Sequence, residues 1–115
     1  MELYYNSYWA GSHTAFTSSV SNFSGYTFLA SGAGQGLSVK NNAASAAMVD
    51  YPSHPTNAAI FFNSGYGGAC DWFLGHHEGS FTESFSLGPT YNENASFKFT
   101  SATGPAAGVS CQIWR

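Results

Sequence analysis

Two short stretches that echo each other carry groups able to ligate a metal ion. Asn41-Asn42-Ala43-Ala44-Ser45 offers two amides, a hydroxyl and backbone carbonyls. Asn92-Glu93-Asn94-Ala95-Ser96 offers the same groups plus one carboxylate, that of Glu93. These are the groups calcium takes, roughly six to eight at a time. With so few charged ligands, any such site should be weak, in the micromolar-to-millimolar range. The competing reading is a pair of turns, in which Asn and Ser hydrogen-bond their own backbone and need no ion.

Other chemistry has less behind it. The acids Glu2, Asp50, Asp71, Glu78, Glu83 and Glu93 form no marked acid–base couple, and His13 and His54 stand alone. His76-His77-Glu78 lies between Gly75 and Gly79. Neighbours on a strand face opposite ways, so the two histidines would share a ligand only in a turn. A solvated loop is the plainer reading. There is no G-x-S-x-G elbow and no zinc-type Cys/His spacing. Enzymatic function is therefore not expected. Cys70 and Cys111 are compatible with one disulfide or with two buried thiols. A disulfide closing about 40 residues would contribute roughly 4 kcal/mol on the chain-entropy account. Low charge and abundant Ser, Asn and Gly favour an extracytoplasmic setting and hence the disulfide.

The elements that must position these groups read as strands. Only 8% of the 115 residues are charged, so good helix formers are scarce. Seven Tyr, ten Phe and three Trp favour strands, and thirteen Gly supply turns. Candidate strands are Glu2–Trp9, Thr14–Ser19, Tyr26–Leu29 and Ala44–Val49, then Ala58–Phe62, Ala69–Leu74, Phe81–Leu87 and Ala95–Thr100. A spacing near ten residues per strand is that of a sandwich or barrel. Asn41–Met48, with four alanines, has some helical character, but its counterpart Asn92–Phe99 alternates aromatically. Asp50–Asn57, with Pro52 and Pro55, reads as a linker. Val109–Trp114 forms a tail that a Cys70–Cys111 bond would pin down, giving Trp114 an apolar surface to cover.

The net charge of -3, with only Lys40, Lys98 and Arg115 basic, excludes the basic face that nucleic acid requires. It also weakens a lytic or toxin-like role on anionic membranes. No apolar run approaches the roughly 20 residues of a membrane-spanning helix. Met1-Glu2 opens without a signal sequence, so the expected secretion implies a leader already removed. Tyr5, Tyr8, Tyr51, Phe62, Trp72, Phe73 and Trp114 could build a sugar- or protein-binding face. Most are expected in the core or at hairpin corners.

The chain repeats itself. Tyr4-Tyr5-Asn6-Ser7-Tyr8-Trp9-Ala10-Gly11 is echoed by Phe61-Phe62-Asn63-Ser64-Gly65-Tyr66-Gly67-Gly68, 57 residues on. The Asn/Ser stretches recur at an offset of 51. Such a repeat implies two supersecondary units completing one core. Its aromatic-x4-aromatic-x-glycine form (Tyr4, Trp9 and Gly11, then Phe61, Tyr66 and Gly68) resembles the Greek-key signature of the βγ-crystallins. The resemblance covers residues 3 to about 100. It implies an all-β sandwich of two Greek-key motifs, about 2–50 and about 58–100, with a tail at 101–115 in a single domain. It also implies a serine in each motif, Ser45 or Ser96, tying down the folded first hairpin.

The Asn/Ser stretches resemble that family's calcium-binding segment. Both lack its closing serine, and Glu93 replaces an Asn/Asp. The family's arrangement would draw ligands from the backbone oxygens of Ala43 and Asn94, the hydroxyls of Ser45 and Ser96, and the side chains of Asn42 and Glu93 reaching across to the other motif. The carbonyls of Tyr5 and Phe62 would complete the sites. Leu3–Ser7, Val20–Phe23, Gly25–Phe28 and Val39–Ala46 are further similar to bacterial secreted βγ-crystallin-like proteins of the metalloproteinase (peptidase) inhibitor group. That similarity implies a secreted protease as partner, with the stiff Asp50–Asn57 segment either a blocking loop or a plain connector. The implied protein is a non-catalytic, monomeric calcium-binding domain, with peptidase inhibitor as the alternative.

Overall fold

Alternation along each strand sorts its side chains between a shared interior and an outer face. In Asn57–Asn63, Ala58 and Ile60 join the main core, while Ala59 and Phe61 join a second cluster outside it. In Gly67–Phe73, Phe73 faces in and Trp72 out. The computed structural model describes residues 1–50, 57–77 and 79–115. Among them there are eight strands and no helix. They are β1 (Glu2–Asn6), β2 (Ala10–Ala15), β3 (Ser45–Val49), β4 (Asn57–Asn63), β5 (Gly67–Phe73), β6 (Phe81–Ser84), β7 (Ser96–Thr100) and β8 (Cys111–Trp114). They form two four-stranded sheets, ordered β2-β1-β3-β6 and β7-β4-β5-β8.

The sheets do not respect the boundary between the repeats. β6 comes from the second repeat but pairs antiparallel with β3, from Ala46↔Ser84 to Val49↔Phe81. In return, Val20 of the first repeat bridges Phe97 on β7. Its N–H donates to the Phe97 carbonyl at 2.9 Å and its own carbonyl accepts at 3.0 Å. Phe16, Phe23 and Phe97 meet in the interior, with the Phe23 and Phe97 rings stacked 5.9 Å apart. Burying each such ring contributes about 2 kcal/mol through apolar area alone.

The expected strand at Tyr26–Leu29 is reduced to a single bridge, Thr27↔Ser38. The glycine-rich 31–36 segment folds back tightly here, the Gly36 N–H reaching the Phe28 carbonyl at 2.9 Å. Phe28 alone plugs the core, while Tyr26 and Leu29 stay exposed. The alanine-rich Ser45–Met48 is strand, as its counterpart requires. The His76-His77 segment is exposed and turns back through a Ser80 N–H to His77 carbonyl bond. Of the expected linker and blocking loop Asp50–Asn57, residues 51–56, Tyr51 among them, lie outside the described residues, as does Glu78.

Cys70 and Cys111 are joined, with Cα atoms 4.5 Å apart, and the tail forms β8 parallel to β5. Trp114 packs against the main core and lies edge-on to Phe85. A second anchor was not legible beforehand. Asp71 points inward from β5, fully buried. Its oxygens accept from the Gly88 N–H at 2.8 Å, the Thr90 N–H at 3.0 Å, the Thr90 hydroxyl at 2.5 Å and Trp114 Nε1 at 2.9 Å. Gly88 suits this approach, since a Cβ there would lie a tight 3.1 Å from Asp71 Oδ1. One carboxylate thus ties the β6–β7 loop and the tail to β5. Asp71→Asn keeps the shape but sets an NH2 group against N–H donors. It should cost about 3 kcal/mol, the worth of a buried charge-assisted network, read as a lowered urea midpoint.

Candidate functional site

The first hairpin of each repeat is irregular in the same way, and the same left-handed backbone marks each. The β1–β2 register slips between Tyr4 and Asn6, and the β4–β5 register between Phe61 and Asn63. Left-handed residues follow: Tyr8, Trp9 and Gly11 at φ 58°, 53° and 77°, then Gly65, Tyr66 and Gly68 at 74°, 66° and 80°. Glycine closes each turn because a Cβ at Gly68 would come 2.8 Å from Asn63 Nδ2, and at Gly11 3.0 Å from the Ala33 carbonyl. The non-glycine left-handed residues cost roughly 1–2 kcal/mol each. A serine hydroxyl holds each hairpin in that shape. Ser45 Oγ donates to the Asn6 carbonyl at 2.6 Å and accepts from the Trp9 N–H at 3.0 Å. Ser96 Oγ donates to the Asn63 carbonyl at 2.7 Å and accepts from the Tyr66 N–H at 3.1 Å. Tyr4, which opens the first hairpin, has its phenol pushed up to about 12 by burial and by its bond to Glu2.

The two Asn/Ser stretches meet each other. The Asn41 N–H donates to the Asn94 carbonyl at 2.8 Å, and the Asn92 N–H to the Ala43 carbonyl at 3.0 Å. Asn41 and Asn92 are both left-handed, at φ 64° and 51°. Asn94, fully buried, adds three bonds from its side chain. Its amide donates to the carbonyls of Ala43 and Thr90, both at 2.8 Å, and accepts from the Ala43 N–H at 3.2 Å. Further reciprocal pairs flank this seam: Tyr8 N–H to Phe85 carbonyl with Gly65 N–H to Ser21 carbonyl, and Leu87 N–H to Ala44 carbonyl with Phe23 N–H to Ala95 carbonyl.

These bonds engage most of the expected calcium ligands. The Ala43 carbonyl accepts two N–H groups and the Asn94 carbonyl accepts one. The hydroxyls of Ser45 and Ser96 are buried in their hairpins. Asn42 turns back to its own repeat, its amide donating to the Ser38 carbonyl at 2.8 Å. The Tyr5 ring packs edge-on against Phe28. Only Phe62 and Glu93, of the eight expected residues, line a common cleft, a cavity of about 430 Å³ shared with Lys40, Asn41, Asn63, Ser64 and Asn92.

The residue that sequence reasoning missed is Lys40. Its ammonium projects into the same region, donating to Asn22 Oδ1 at 3.1 Å and approaching Ser64 Oγ at 3.4 Å. The signal was its adjacency to Asn41 at the start of the stretch. The cleft is therefore lined by residues that carry amide and hydroxyl groups, one acid and one lysine. A small cation would be attracted by Glu93 and repelled by Lys40.

No protein-family model, curated protein or solved structure matches the chain. The equivalence of the two serines is directly testable. Ser45→Ala and Ser96→Ala each leave a carbonyl and an N–H without their partner. Each should lower stability by about 2 kcal/mol, with an exposed control, Ser64→Ala, within about 0.5 kcal/mol. Chemical denaturation of the three variants measures this.

Proposed function

We propose that this chain is a secreted, non-catalytic binding domain of the βγ-crystallin type, with one weak calcium site in the cleft headed by Glu93. The exchange of β6 and of Val20 between the repeats supports the paired Greek-key reading. So do the two serine-tied hairpins. The disulfide agrees with an extracellular setting. The observation that carries the calcium reading is the cleft itself. Glu93, the bulge residue Phe62, and Asn41, Asn63, Ser64 and Asn92, all residues with oxygen to offer, line one opening. The pseudo-equivalent position on the other side of the seam has Asn42 where this one has Glu93, so the proposal is for one site rather than two. With one carboxylate opposed by Lys40, affinity belongs in the millimolar class. A peptidase-inhibitor role would rest on Asp50–Asn57 and draws no support from the described residues.

Calorimetric titration with calcium, paired with thermal melts, tests the reading. Heat of binding and a raised melting temperature are expected at about 10 mM calcium. Glu93→Gln should abolish both. Lys40→Met should tighten binding roughly tenfold by removing a like charge at close range. A melting curve that ignores calcium in the parent and in Lys40→Met would end the calcium proposal.

A further inference from the structure

The second sheet has an outer face unlike that of the first. β7 and β8 lie at its opposite edges, so the connecting segment 101–110 must cross the whole sheet. The segment roofs that face without filling it, leaving a cavity of about 360 Å³. Its floor is Phe61, Tyr66 and Trp72, with Lys98 beside them, and Pro105 and Val109 come from the roof. The size is within the range of small-molecule sites, which start near roughly 300 Å³.

Two of the residues that line this cavity carry polar groups in unusual states. Trp72 is 4% exposed, yet its Nε1–H has no hydrogen-bond partner. The other two indoles are satisfied: Trp9 Nε1 donates to the Ala46 carbonyl, and Trp114 Nε1 to Asp71. Buried donors are nearly always paired, and an orphan calls for an explanation. Lys98 holds its ammonium 5.7 Å from the Phe61 ring centre and 5.5 Å from that of Tyr66. Among the described residues its contacts are rings rather than a carboxylate, in a chain with only three basic residues. The repeat sharpens the point. At the offsets of 57 and 51, the positions of Trp72 and Lys98 correspond to Ala15 and Ala47 in the first repeat. The second repeat has built a donor and a cation where its sister has alanine.

We propose that this cavity binds a small amphipathic carboxylate. The apolar or aromatic body lies against Phe61, Tyr66 and Trp72. The carboxylate accepts from Trp72 Nε1 and pairs with the Lys98 ammonium. An indole N–H donates only, and an ammonium donates only, so the site calls for an acceptor with negative charge. Low dielectric around the rings strengthens that pairing. The site is on the outer face of the second sheet and does not depend on calcium at the seam.

The test is titration of the labelled protein with 4-phenylbutyrate, followed at the indole N–H resonances. Trp72→Phe identifies the Trp72 signal by its loss. That signal should shift downfield and saturate. The uncharged 4-phenylbutyramide should bind at least roughly tenfold more weakly, and Lys98→Met should weaken phenylbutyrate by about the same factor. Unmoved Trp9 and Trp114 signals in Lys98→Met would show that its fold is intact. The proposal is overturned by no saturable shift at Trp72, by equal binding of the acid and the amide, or by full affinity in a folded Lys98→Met. It is also overturned if N-acetylglucosamine shifts the Trp72 signal and phenylbutyrate does not, since the cavity would then take a sugar.

Discussion

A single hydroxyl holds each repeat in its shape. The folded hairpin forces side-chain-bearing residues into left-handed backbone, a conformation that does not persist unless its surroundings over-determine it. Ser45 and Ser96 supply that restraint by donating to the carbonyl where each hairpin begins to turn and accepting from an N–H at its corner. Because both serines open the strands β3 and β7, the same contact sets where each returning strand starts. The register of those strands against β1 and β4 follows from it, and with it which side chains enter the core. Ala46 and Met48 face inward on one side and Phe97 on the other.

The second constraint is reciprocity. Neither repeat closes its own sheet; each receives a segment from the other. The seam of Asn41, Ala43, Asn92 and Asn94 sits between these exchanges and joins two reciprocal backbone bonds to three bonds of the Asn94 side chain. Polar residues there meet two demands at once. Asn tolerates the left-handed turn, and its amide can satisfy buried carbonyls that no strand reaches, as Asn94 does for Ala43 and Thr90. A buried amide with all its bonds made is specific about its position, and one left half-satisfied would be costly. The Asn/Ser composition of these stretches is therefore explained by the architecture before any ion is invoked.

That distinction governs what was legible beforehand. The aromatic–glycine spacing and the two serines reported backbone geometry: the left-handed residues and the serine ties fall at those positions, whereas the strand expected at Thr14–Ser19 lies earlier, at Ala10–Ala15. The Cys pair and the pinned tail were likewise readable. The Tyr26–Leu29 strand was not, because its β-forming residues are overruled by the glycine-rich return that follows. The ligand set was read from residue types alone, and type does not reveal whether a carbonyl's lone pairs are taken. Ala43 and Asn94 look the same in sequence whether they face an ion or an N–H. Asp71 looked like one acid among six, since its four donors come from two segments distant in sequence, the 88–90 loop and the tail. Lys40 and Lys98 were counted only as charge.

The two lysines sit in the parts of the chain where the repeat is imperfect. The backbone contacts that recur at both ends of the molecule are structural, and symmetry keeps them alike. Departures from the repeat are free of that duty. Glu93 answers Asn42, Trp72 answers Ala15, and Lys98 answers Ala47. Each substitution places a charge or a donor on only one side of the pseudo-symmetric frame. Lys40 lies beside Glu93 and lowers the field any divalent ion would feel, so the seam is held by protein groups whether or not an ion arrives. Lys98 is set over the Phe61 and Tyr66 rings, with no carboxylate against it among the described residues. Position relative to the repeat, rather than residue type, separates a cation that stiffens the frame from one that is left to bind.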